Sequence, residues 1–146
     1  MSVVAHSRPE LLKKIFHPES RSYRQDGLYT MMFYSAKQPV VITVDDQFMC
    51  RGSSRQHAFV KLANNEKGIR EIWPLLIEKA YAKMYGSYSS IEGGQVGRAL
   101  EQLTNGAHLN IDFRKEEVKK QYNTGELWSK MITWNSKGYL MGAGSP

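Results

Sequence analysis

The 146-residue sequence holds a single cysteine, Cys50. One thiol excludes an internal disulfide and any zinc site built from several cysteines, and it suits a reducing compartment. No run approaches the roughly 18 apolar residues that a membrane-crossing helix requires. Residues 1–5 are too short for the apolar stretch of a secretory leader, and polar residues follow them. Acidic side chains are in deficit, 14 against 20 Lys and Arg, which gives a formal charge of +6 and a pI near 9.4. That excess is scattered. Its one small cluster is Arg114-Lys115 with Lys119-Lys120, without the stripe of basic and aromatic residues that grips a nucleic-acid backbone. A solvated basic surface and no nucleic-acid partner are therefore expected. Internal repeats and low-complexity tracts are also lacking.

What remains has the composition of one globular domain, 41% hydrophobic and 23% charged. Ser7-Arg8-Pro9-Glu10 has the pattern of a capping box, and Leu11, Leu12, Ile15 and Phe16 follow as an apolar stripe. A short helix ending before Pro18 is expected there. Val3-Val4-Ala5 leaves open an earlier helix that breaks at Ser7. Residues 27–34 and 39–46 read as two strands joined by a link of hairpin length. Residues 47–68 read as irregular, with a short strand over the apolar stretch 58–63. The best helix covers 71–85, with Pro74 in its first turn and Gly86 at its C-terminal cap. A second helix is predicted over 95–105, placing Val96, Ala99, Leu100 and Leu103 on one face and ending at Gly106. Alternation of Leu109, Ile111 and Phe113 predicts a strand over 107–113. Residues 126–137 read as a helix with Leu127, Trp128, Met131, Ile132 and Asn135 on one face, stopped by Gly138. A further strand is expected over 139–143. This mixture is α+β.

Few residues bear chemistry. A cysteine nucleophile needs a base within hydrogen-bond reach and a group to orient it. The histidines His6, His17, His57 and His108 lie in separate segments. Cys50 therefore reads as a semi-buried structural thiol, with a Cys50–His57 dyad as the remote alternative. Asp45-Asp46 makes a weak metal pair, because neighbours in a strand point to opposite faces. Trp73, Trp128 and Trp134 read as core anchors. Gly93-Gly94 marks a bend or a close approach of another backbone. It is no dinucleotide fingerprint, since no strand leads into it.

Residues 69–106, IREIWPLLIEKAYAKMYGSYSSIEGGQVGRALEQLTNG, closely resemble the calpain family of papain-like cysteine proteases. The family pattern there is roughly E-F-W-x-x-L-L-E-K-A-Y-A-K, then G-S-Y, then a Gly-Gly pair. Residues 27–46 resemble its strand pair G-x-Y-x-F-x-F-Y … V-V-V-D-D, although Gln47 replaces the usual Arg. Residues 126–143 resemble L-W-x-x-L … G-x-L-M-G, and residues 1–16 resemble the helix that follows the nucleophile. The resemblance implies part of a papain-like core, with helices packed on short antiparallel strands and two half-domains meeting near Gly93-Gly94. Residues 1–92 would be the C-terminal part of the first half-domain and 93–146 the N-terminal part of the second. Tyr81, Tyr85 and Tyr88 would be core and cleft-wall residues.

The implied activity is that of a calcium-dependent cysteine endopeptidase. The family's Cys falls before the position matched by Met1, and its His and Asn fall after Pro146. No catalytic residue is assigned. The chain is expected to be a fragment or truncated homologue without activity of its own, or alternatively a natural non-catalytic scaffold, for example a cytoskeletal one. Glu71 matches a calcium ligand whose Asp partner has no counterpart here, so at most a weak remnant Ca²⁺ site is expected. Gly94 matches a glycine whose backbone contacts bound peptide. The expected partners are peptides, together with other domains or a partner chain that covers exposed apolar faces. The expected location is the cytoplasm, with cytoskeletal association.

Overall fold

Alternation in residues 28–35 builds the centre of the molecule. The structure, a computed structural model, describes residues 2–52, 56–58, 60 and 71–144. Strand β1 (Leu28–Ser35) pairs antiparallel with β2 (Gln38–Asp45), so that Met31 faces Ile42 and Tyr29 faces Val44. Side chains point to opposite faces with a period of two. Tyr29, Met31 and Phe33 are therefore buried on one face with Ile42 and Val44, while Val41 stands 66% exposed on the other. Ala36 and Lys37 close the hairpin with φ of 48° and 65°. A two-residue turn matched to strand twist needs positive φ at both positions, and glycine or asparagine usually supplies it. Here the tip is tied down instead. Lys37 Nζ reaches Glu101 at 2.5 Å and the Gly106 carbonyl at 2.9 Å.

Two helices open the chain, α1 (Ser2–Ser7) and α2 (Pro9–Ile15). The expected capping box does not form. Ser7 is the last residue of α1, and Arg8 holds the cap position of α2 without a side-chain capping bond. A residue already in helical conformation cannot adopt the extended backbone of an N-cap. Arg8 instead donates to the Gly138 carbonyl at 3.0 and 3.2 Å, joining the two ends of the described chain.

Two-residue strands β3 (Cys50–Arg51) and β4 (Gln56–His57) form a second small hairpin, which the Ala58 amide extends by donating to Met49 O at 2.9 Å. Of the strand expected over 58–63, only Ala58 and Val60 lie among the described residues.

Helix α3 (Trp73–Tyr85) begins with Pro74 in its first turn and ends at Gly86, whose φ is 92°. It lays Leu76, Ile77 and Ala80 on the buried face of the β1–β2 hairpin. Its lysines staple it there: Lys79 Nζ meets Asp45 at 2.6 Å, and Lys83 Nζ donates to Thr43 O at 2.8 Å. Helix α4 (Val96–Thr104) adds Leu103 to the same core, and Asn105 rather than Gly106 takes the left-handed cap, at φ 59°.

Residues 107–113 and 139–143 form no strands. Alternation marks a face, but a strand also needs a ladder partner, and neither segment has one among the described residues. The first ends in a turn where Arg114 N bonds Asp112 Oδ1 at 2.9 Å. Helix α5 (Glu116–Asn123), not anticipated from the sequence, follows, and α6 (Glu126–Ser136) packs beside it. On α6 only Leu127 is buried. Trp128 is 65% exposed, so it anchors no core here, while Trp73 and Trp134 are half-buried. The whole is a mixed α+β arrangement.

Candidate functional site

The last turns of α3 and the first turn of α4 face each other across a short link. Gly86 ends α3, Ser87 Oγ accepts the Ser90 amide at 3.1 Å, and a 3-10 turn (Ser89–Ile91) carries the chain to Gly93-Gly94. The space between holds a cavity of about 430 Å³, lined among others by Tyr81, Tyr85, Ile91, Gly93, Gly94 and Gln95. Helical spacing explains the tyrosines: positions 81 and 85 lie one turn apart on one face of α3. Their rings pack at 5.1 Å between centroids, and Tyr81 rests against Phe33 of the core at 6.0 Å. Burial, and then the neighbouring Tyr85, raise the Tyr81 hydroxyl above its ordinary range. Both hydroxyls meet Gln102, which is 5% exposed. Tyr81 donates to its Oε1, and its Nε2 donates to Tyr85.

Gly93 and Gly94 have a plain geometry. Neither lies in the left-handed region of φ. A Cβ added at either would meet nothing within 4 Å. By contrast, a Cβ on Gly97 would stand 2.9 Å from the His108 ring. The chain's own backbone and packing thus make no demand for glycine at 93 or 94. What those glycines provide is clear space along one edge of the cavity.

The other sequence candidates lie elsewhere. Glu71 precedes α3, and the 13 residues of that helix put it about 20 Å from the Gly93-Gly94 end. Its Oε2 accepts the Trp73 indole N–H at 2.7 Å. Among the described residues no three His, Cys, Asp or Glu side chains gather into a metal-holding group. A calcium ion asks for six to eight oxygens, and Glu71 offers one carboxylate toward that number.

Cys50 is exposed rather than semi-buried. A two-residue strand is too short to fold its edge under the core, and Phe48 packs there instead. Cys50 and His57 do stand opposite each other in the β3–β4 ladder. The Cys50 thiol nevertheless donates to Phe48 O at 3.7 Å, and His57 Nδ1 is buried without a hydrogen-bond partner. No thiol–imidazole hydrogen bond links them.

Asp45 keeps an ion pair despite Gln47, because Lys79 supplies the cation. That contact, reinforced by the Gln47 amide, holds the Asp45 carboxyl below its ordinary range. Sequence reasoning missed both Lys79 and Gln102. The only signal for Gln102 was a polar residue beside Leu103 on a helix with an apolar face.

The strand pair with helices packed on it is a mixed α+β arrangement consistent with a piece of one class of protein, the calpain cysteine proteases. The calpain family cysteine protease model matches residues 1–146, and the chain belongs to that family. It is 37% identical over 124 residues to the calpain-type cysteine protease DEK1 of Arabidopsis thaliana, which covers 85% of this chain and 6% of that protein. Calpain-13 of Rattus norvegicus is 34% identical over 125 residues, 82% of this chain and 18% of that protein. Calpain clp-4 of Caenorhabditis elegans is 32% identical over 102 residues, 68% of this chain and 13% of that protein. The chain therefore spans less than a fifth of each of these relatives.

Proposed function

We propose that this chain is a part of a calpain-type cysteine endopeptidase core, the part that builds one wall of the peptide cleft, and that it does not hydrolyse peptides by itself. The observation that carries the reading is the open edge at Gly93-Gly94. Glycine there serves neither φ nor packing, which leaves the approach of an external backbone as its use. The cavity beside it has aromatic and polar walls of the kind that hold a peptide.

The lack of independent activity rests on the thiol. Cys50 is exposed, lies in a separate hairpin and hydrogen-bonds a carbonyl rather than a base. Acyl transfer to sulfur needs a thiolate that a nearby base has generated. Calcium alignment of two half-domains, divided as 1–92 and 93–146, belongs to the whole protease in this reading. Glu71 contributes at most one carboxylate to it.

Exposed apolar side chains on the later segments support a need for further domains or a partner chain. Leu109, Phe113, Tyr122, Trp128, Ile132 and Tyr139 are all exposed, and of these Phe113 and Tyr122 pack edge to face at 6.1 Å between ring centroids. The working location is the cytoplasm, where a reduced Cys50 would persist. A non-catalytic scaffold role remains the alternative.

The test is direct. A blocked trialanine peptide is titrated into the ¹⁵N-labelled chain, and shifts concentrated at the Gly93 and Gly94 amides are expected. Shifts elsewhere, or none, would refute the cleft.

A further inference from the structure

Gln102 is a polar side chain almost wholly inside the protein, on a helix whose neighbouring residue Leu103 joins the core. A buried amide without partners would destabilise the fold, because its lost bonds to water would go unreplaced. Its partners here are the hydroxyls of Tyr81 and Tyr85, both of which line the cavity beside Gly93-Gly94.

The chemistry of the amide assigns the protons. Its NH₂ only donates and its carbonyl only accepts. Tyr81 must spend its proton on Gln102 Oε1. Tyr85 must accept from Gln102 Nε2, so its own proton is not used by the amide. That proton is free for the Tyr81 oxygen or for an acceptor inside the cavity. Arg98, also at the cavity, is exposed, and its charge acts on the Tyr81 hydroxyl less than burial and Tyr85 do.

We propose that Gln102 is a positioning residue of the cleft: it holds Tyr85 so that the Tyr85 hydroxyl donates to a backbone carbonyl of a peptide lying along Gly93-Gly94. This rests on the cleft reading above and adds to it which group binds the peptide and what orients that group. Gln102 touches no ligand itself.

The experiment uses the whole chain, the blocked trialanine probe and the Gly93 and Gly94 amide shifts. Gln102→Glu keeps the shape, but its carboxylate accepts protons from both tyrosines and removes the Tyr85 donor. Tyr85→Phe deletes that donor directly. Each should weaken binding roughly threefold to tenfold, the worth of one hydrogen bond. The double variant should bind no worse than either single one, because both remove the same contact. A purely structural Gln102 would move the thermal midpoint without this non-additivity. If Gln102→Glu fails to fold, Tyr85→Phe alone carries the test. Unchanged affinity in Tyr85→Phe, or additive losses in the double variant, would overturn the proposal. A wild-type chain that binds no probe would overturn the cleft itself, which is a separate result.

Discussion

Replacing Gly94 by alanine should move stability and binding in opposite directions. On the stability side, the added methyl meets no atom within 4 Å, and the backbone is not in the left-handed region. At such a position the main effect is on the unfolded chain, which loses conformational freedom, and the gain is about 0.4–1 kcal/mol. For a domain of this size that raises the melting midpoint by roughly 1–4 °C. On the binding side, the same methyl projects into the space that a peptide backbone would use. It removes at least one backbone hydrogen bond, worth about 0.5–1.5 kcal/mol, and adds overlap of about 1–3 kcal/mol. Affinity should therefore fall by a factor of about ten or more. Melting is followed by circular dichroism, and affinity by amide shifts on titrating the blocked trialanine peptide. A lowered midpoint would mean that the fold itself requires glycine at 94. Unchanged affinity would mean that no backbone passes there. Either result would refute the reasoning.

Phe33 is fully buried, so Phe33→Ala should cost about 3–5 kcal/mol in urea denaturation, whereas Val41→Ala on the exposed face should stay within about 0.5 kcal/mol. Asp26 has its carboxyl lowered to about 2 by the Arg24 guanidinium and then by the Leu28 amide. A depressed folded pKa gives stability that is full above the ordinary value of 3.8 and lost as pH falls toward 2. Asp26→Asn should flatten the stability profile in that window, as read by urea melts between pH 5 and pH 2. Purified chain should show no calcium-dependent peptide hydrolysis, and its exposed Cys50 should react readily with a thiol reagent in the native state. Turnover that disappears in Cys50→Ala would contradict the proposed role.

Much of the fold was legible because its signals are local. The 27–46 hairpin follows from period-two alternation, and α3 from Pro74, its apolar spacing and Gly86. Boundaries moved by a residue or two, as helix and strand ends do. The errors came where a pattern needs a partner to have meaning. Leu109, Ile111 and Phe113 alternate like a strand, yet no ladder receives them, and 139–143 fails in the same way. The capping box failed because α1 had already claimed Ser7. Helix α5 went unseen because its sequence, EEVKKQYN, offers almost no apolar stripe to read.

By itself the sequence determined the family, through the run at 69–106, and the α+β mixture, because both are written in residue order and spacing. The tertiary structure alone decided which side chains meet. It brought Lys79 to Asp45, Lys37 to Glu101, and Gln102 to two tyrosines 17 and 21 positions earlier. It also separated Glu71 from the glycine pair by the length of a helix. Hydrogen bonds and ion pairs act over a few ångströms of space, and only the packing of α3 and α4 on the hairpin sets those distances.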